Sequence, residues 1–282
     1  MAMQDVKMTD LTPEEVARPF SKYFYKPLAQ PAAERVAAMD RPVDPSLALP
    51  ADRRSDLLDP GDLPCEAGWC VMPDGTGFIA NRLPMPGVTV EMVDWWFAWH
   101  ALEPLRYKIW NPPYHFDISL SERDRAKVLD PKRSLREKYQ GLTHYVIENC
   151  GGPCAEKIAI EFMTPEEFGF DMERFKAPNV GTFAGGKGAS VMLAPPPGVP
   201  SFKAPAIMCH LVREIPGGIE FRTRFWMGMR IIDRKAVRCI PDTVRIPDFV
   251  VKGLAVHNVH EYANLASFLP QIYEEQSGLV AA

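Results

Sequence analysis

An α+β fold, a curved antiparallel sheet wrapped around one long helix, is predicted by three features of the 282-residue sequence. Strand-like segments are segregated from helical ones, an aromatic helix spans residues 90–100, and a proline-free stretch with helical apolar spacing runs late in the chain over 248–269. A sheet that grips a helix in this way encloses a cavity suited to a small molecule.

Thr12 begins the first element: it can cap, Pro13 fits the first helical position, and Glu15 completes a capping box. A second helix is expected over 31–39. Residues 40–64 carry five prolines and little periodicity, so they read as an extended wrapping segment. A soft boundary follows, with residues 1–68 as an N-terminal helical and extended region and 69–282 as the main domain. Around Asp74-Gly75 the pattern becomes a hairpin. Thr89 then caps a helix whose body is Trp95-Trp96-Phe97-Ala98-Trp99 and which is expected to end near Pro104. Residues 143–148 and 157–162 alternate as strands, and Thr164-Pro165-Glu166-Glu167 opens a short helix with the same box as Thr12. Residues 206–215 and 219–230, joined at Pro216-Gly217-Gly218, form the longest hairpin. After a strand and turn to Pro247, the long helix carries apolar residues at Val250, Leu254, Leu265 and Phe268 and is stopped or kinked at Pro270.

Hydrophobic residues make up 46% and charged residues 24%, enough for a sizeable core and unlike a disordered or fibrous chain. The net charge of −4 lacks the basic excess that nucleic-acid backbones require. No apolar run reaches the ~18 residues of a membrane span, and the first residues lack the pattern of a signal peptide, so a cytoplasmic location is expected. The six cysteines are too dilute for a disulfide framework and read as thiols. Proline, 28 residues, is enriched in loops such as 194–200, which implies many rigid connections.

His257 and Glu261 are the most informative pair. Four residues apart on a helix, they project from one face about one turn apart, as two ligands of one metal ion must. The spacing also fits a solvated surface pair, but Leu254, Leu265 and Phe268 continue the same broad face toward the cavity. A buried carboxylate there would need a partner, and a metal ion would supply one. Further ligands could come from His100, His115, His144 or His210, or from Glu148 or Glu161. His144 and Glu148 share a strand face but lie about 13 Å apart, too far to share one ion. His100 reads as a hydrogen-bonded core histidine.

The runs Trp95-Trp96-Phe97-Ala98-Trp99-His100, Tyr107-Lys108-Ile109-Trp110-Asn111-Pro112 with His115, Thr143-His144-Tyr145-Val146-Ile147-Glu148, and His257-x-x-x-Glu261 together resemble the 2,4-diacetylphloroglucinol and phloretin hydrolases, over roughly residues 65–270. The resemblance implies a Bet v 1-like helix-grip domain behind a small N-terminal helical region, a homodimer, and zinc held by two His and two Glu. Carried over, those ligands are His115, Glu148, His257 and Glu261. It also implies acid/base or substrate-orienting roles for His210, Tyr107 and Glu148, and substrate contact from Tyr107, Phe225 and Trp226. Phe225-Trp226 stands where the diacetylphloroglucinol enzymes offer a tyrosine, which removes a donor to a substrate hydroxyl. A less hydroxylated or bulkier aryl ketone or diketone is therefore expected. Zinc with such ligands lowers the pKa of water toward ~7 and polarises a carbonyl, which suits hydrolysis of a carbon–carbon bond beside a ketone.

Two motifs are set aside. Residues 181–188 nearly spell a phosphate-binding loop, but Gly188 stands where its magnesium-holding hydroxyl should be, and the following SVMLAPPP cannot begin a useful helix. Cys65/Cys70 and Cys150/Cys154 fit a zinc ribbon poorly and read as loop cysteines. The competing functions are a non-catalytic carrier of an apolar small molecule, which would be metal-free, and a metal-dependent ester or lactone hydrolase using the same ligands.

Overall fold

Antiparallel strands dominate the molecule, which a computed structural model describes over residues 10–198 and 203–279. Eight of them, β1 (Gly68–Val71), β2 (Gly77–Pro86), β3 (His115–Ser119), β4 (Thr143–Glu148), β5 (Glu156–Phe162), β6 (Thr182–Met192), β7 (Ala204–Ile215) and β8 (Gly218–Met227), form one sheet in the order β1-β2-β8-β7-β6-β5-β4-β3. The hairpin of β9 (Met229–Ile232) and β10 (Lys235–Arg238) stands apart from it. The helices are α1 (Pro13–Val16), α2 (Ala33–Ala37), α3 (Val90–Trp99), α4 (Pro104–Lys108), α5 (Glu122–Leu129), α6 (Pro165–Phe168), α7 (Met172–Phe175) and α8 (Asp248–Gln276). The α+β architecture is thus as expected. No described helix is long and apolar enough to cross a membrane. The 194–200 loop and the first nine residues lie partly or wholly outside the described residues.

Alternation along each strand divides the core in two. On β8, Phe221 and Phe225 point into the larger apolar cluster with α3 and α8, whereas Trp226 joins the cluster on the opposite face. That second cluster packs Leu57, Leu58 and Phe168 against Phe78, Phe183 and Trp226.

Several boundaries differ from expectation. Helix α8 has 29 residues and runs through Pro270. Proline removes one helical hydrogen bond, a cost of about 3 kcal/mol. Burial of Phe268, Leu269 and Ile272 offsets it. Pro104 starts α4 rather than merely ending α3, since its fixed φ suits a first helical position. The expected strand through residue 230 splits at Gly228, whose φ of +85° directs the chain into β9.

Residues 40–64 are not simply extended: they hold two 3₁₀ segments, Pro45–Leu47 and Ala51–Leu58. Buried arginines satisfy their carbonyls, with Arg213 donating to Leu57 O at 3.0 Å and Arg222 to the same oxygen at 2.9 Å. The wrap is fastened at its end by Glu66, which accepts from Arg224 at 2.7 Å and also from Arg222. Near the start of the chain, Tyr23 packs on Phe268 with ring centroids 5.6 Å apart, and Lys22 pairs with Glu275 at 2.7 Å. The early segment is therefore clasped to the C-terminal half of α8.

Candidate metal centre

Three elements bring candidate ligands together. His115 begins β3 and is directly opposite Glu148, the last residue of β4, in the strand register. His257 and Glu261 lie one turn apart on α8, and all four side chains are buried. His115 Nε2 lies 3.4 Å from His257 Nε2, 3.3 Å from Glu148 Oε2 and 3.4 Å from Glu261 Oε2, while His257 Nε2 lies 3.5 Å from Glu261 Oε2. Four ligands placed about 2.0–2.2 Å from one tetrahedral centre stand roughly 3.3–3.6 Å from each other. His115, His257 and Glu261 form the tight group that could hold a metal ion, and Glu148 reaches it through His115.

Hydrogen bonds behind these atoms fix their orientation. His115 Nδ1 faces Tyr107 O at 3.2 Å, and a carbonyl only accepts, so in the neutral ring Nδ1 carries the proton and Nε2 the lone pair. The Tyr107 ring stacks on His115 at 4.1 Å, and its hydroxyl donates to Glu148 Oε2. Cys150 Sγ donates to Glu148 Oε1 at 3.2 Å. Asn258 Nδ2 donates to Glu261 Oε1 at 2.8 Å, leaving Oε2 for the centre.

The electrostatics call for a cation. Two imidazole nitrogens at 3.4 Å cannot both present lone pairs without a positive charge between them. Burial alone would push the Glu261 carboxyl up, but His257 and His115 beside it hold it well below the usual carboxylate range. Burial would likewise lower His257, yet the adjoining Glu261 outweighs it and raises the imidazole above its ordinary value. Each shift favours positive charge among carboxylate oxygens, the condition a divalent ion meets. The donor set and its spacing therefore fit a metal ion.

The other predicted residues divide. Tyr107 belongs to the centre; burial and the neighbouring Glu148 carboxylate raise its hydroxyl well above the ordinary phenol range, so it remains a donor. His210, on β7, is stacked on Phe97 and Phe221, and its Nδ1 lies 2.9 Å from Thr223 Oγ1. Burial lowers it to about 4, only partly countered by Glu261, so the ring is neutral at pH 7. Phe225 sits beside His210, centroids 5.9 Å apart. Trp226 does not face the site: successive strand residues point to opposite faces, and its indole donates to Leu49 O at 2.7 Å across the other cluster. His100, held to Trp96 O at 2.6 Å, is the core histidine expected. His144 packs on Phe162 and His100, away from the ligands of β3 and α8.

Two residues escaped the sequence reading. Cys150, taken for a loop cysteine, contacts Glu148, and only its offset of two positions from that residue hinted at this. Tyr262, the residue after Glu261, lies buried against Trp110, His210 and Phe221, and its hydroxyl meets no well-formed hydrogen-bond partner among the described residues. Two surface hollows, of about 400 Å³ beside Asp74 and Arg245 and about 310 Å³ beside Val88 and Ile219, are lined by none of these residues.

The known proteins similar to this chain are named as hydrolases. The family model described as DAPG hydrolase PhiG domain matches residues 49–274. A phloretin hydrolase from Eubacterium ramulus is 36% identical over 267 residues, covering 93% of this chain and 92% of that protein. Two 2,4-diacetylphloroglucinol hydrolases, from a Pseudomonas sp and from Pseudomonas protegens, are each 26% identical over 279 residues, covering 92% of this chain and 88% and 84% of theirs.

Proposed function

Since the chain belongs to the DAPG hydrolase family, we propose that it hydrolyses a carbon–carbon bond next to a ketone, with an acyl phenol, aryl ketone or β-diketone as substrate. The carrying observation is the 3.4–3.5 Å spacing among side-chain atoms of His115, His257 and Glu261, with Glu148 3.3 Å from His115 Nε2, drawn from two strands and a helix. We read these four as the ligands and zinc as the ion, because two imidazoles and two carboxylates are a donor set that suits it. The Bet v 1-like helix-grip description of the fold belongs to the same reading.

When bound, the ion supplies Lewis acidity toward the ketone oxygen and a nucleophile from water near neutral pH. The chain's own groups do the rest. Tyr107 keeps its proton and orients Glu148 through a hydrogen bond. His210, held neutral by burial, accepts a proton from the attacking water and returns it to the departing carbon. Water is thereby added across the broken bond: hydroxyl joins the acyl carbon, and hydrogen joins the ring or enol carbon. Such a carbon can leave because a phenol or diketone spreads the negative charge onto oxygen. Phe225 beside His210 offers an apolar wall and no hydroxyl, which favours phloretin-like aryl ketones over 2,4-diacetylphloroglucinol.

Metal analysis of the purified protein, paired with a panel of acyl phenol, β-diketone and aryl ester, tests the reading. About one zinc per chain and cleavage of the carbon–carbon bond are expected, both abolished in His257→Ala. Metal-free protein that binds these compounds unchanged would instead make it a carrier, and cleavage confined to the ester would make it an esterase.

A further inference from the structure

Glu148 ends β4, and the three residues after it touch every element that carries a candidate ligand. Asn149 N–H donates to Tyr114 O at 2.8 Å, tying the turn to the residue just before His115. Cys150 Sγ donates to the second oxygen of Glu148 at 3.2 Å. Gly151 abuts α8 so closely that a Cβ built on it would come within 2.8 Å of the Gly253 backbone. A Cβ on Gly253 would in turn meet Gly151 O at 2.8 Å and Cys150 O at 3.3 Å. Gly253 lies one helical turn before His257 and two before Glu261, on the same side of α8.

We propose that the Asn149–Gly151 turn is the positioning device of the metal centre: it braces β4, the start of β3 and α8 against one another so that the four ligand atoms keep coordination spacing. A metal site tolerates errors of only about 0.5 Å in its ligands. Apolar packing between helix and sheet is non-directional and does not fix sliding at that precision. Backbone contact between two glycines does, because it has no side chain to rearrange. The thiol adds a second restraint by holding Glu148 from the side opposite to Tyr107. Asn149, Cys150, Gly151 and Gly253 are thus positioning residues, acting through the ligands and not on the substrate.

The inference rests on the metal-centre reading given above, and the experiment separates the two. Full-length wild type, Gly253→Ala, Cys150→Ala, Cys150→Ser and Gly152→Ala are compared for zinc affinity by chelator competition, for the visible spectrum with cobalt(II), and for thermal unfolding without metal. Gly253→Ala should bind zinc about 10–100-fold more weakly and shift the cobalt spectrum, as loss of outer support does in metal sites. Cys150→Ala should weaken binding about tenfold, with Cys150→Ser restoring most of it. Gly152→Ala, whose Cβ would meet nothing nearer than Cys154 O at 4.0 Å, should match wild type. Should Gly253→Ala fail to fold, the Cys150 pair still decides. Wild-type affinity and spectra in Gly253→Ala and Cys150→Ala overturn the positioning role alone, whereas wild type that binds neither zinc nor cobalt overturns the metal centre and this role with it.

Discussion

Tyr107 shows how one hydroxyl can matter to a centre it does not enter. Its ring stacks on His115 and its O–H holds Glu148, so Tyr107→Phe keeps the stacking and deletes only the donor. A 10–100-fold drop in kcat/KM or in zinc affinity is expected, with the thermal midpoint nearly unchanged; equal affinity and rate in both proteins would remove Tyr107 from the centre. At this scale the sequence was partly legible. The offset of four between His257 and Glu261 sufficed to put them on one helix face, because α-helical geometry is local. Trp226 was misread because it was grouped with Phe225 when strand alternation separates neighbours onto opposite faces. Cys150 carried only its two-residue offset from Glu148, and Tyr262 no local signal, because its neighbours are set by the packing of strand on helix.

Among elements, α3 depends on one buried charge. Asp94 accepts from Tyr139 Oη at 2.7 Å, Thr182 Oγ1 at 2.6 Å and Arg136 Nε at 2.9 Å, which joins the helix to β6 and to the segment before β4. Asp94→Ala leaves those donors short of an acceptor and should cost about 3 kcal/mol, read as a lower urea midpoint at unchanged slope. A loss under about 0.5 kcal/mol would mean the network is replaced by water. Helices with capping residues, such as the one after Thr89, were legible because capping is chemistry between near neighbours. Strands β3 and β6 were not. The first is five residues with a register shift between His115 and Asp117, so it lacks clean alternation. The second, Thr182–Met192, holds three glycines whose spacing imitates a phosphate loop; pairing on both sides with β5 and β7 makes it a strand despite poor propensity.

Across the whole molecule, acid stability should hinge on Glu66, which joins the 40–66 wrap to β8. Burial alone would push its carboxyl up, but Arg224 and the hydrogen bonds from Arg222 and Arg224 bring it down to about 2. A carboxylate whose folded pKa is depressed stabilises fully above its ordinary value of 4.5, and that contribution disappears as pH falls from there toward about 2. Glu66→Gln should therefore be less stable than wild type by about 3 kcal/mol at pH 7, with the gap narrowing below pH 4.5. Urea titrations at pH 7 and pH 3 check this, and a gap that stays constant between them would contradict it. The α+β class could be foreseen because strand and helix periodicities were segregated along the chain. The wrap's docking could not, since it depends on arginines more than 150 positions away, such as the Arg222–Glu66 contact at a separation of 156.

The clasp between Lys22 and Glu275 joins residues 253 positions apart, and the helix that completes it is translated after every strand of the sheet. During synthesis the strands thus precede the helix that covers their apolar side, and two of the four proposed ligands, His257 and Glu261, come after all of them. Metal loading and closure must therefore both wait for α8, and the bare apolar side of the sheet is the surface that chaperones would have to shield until then.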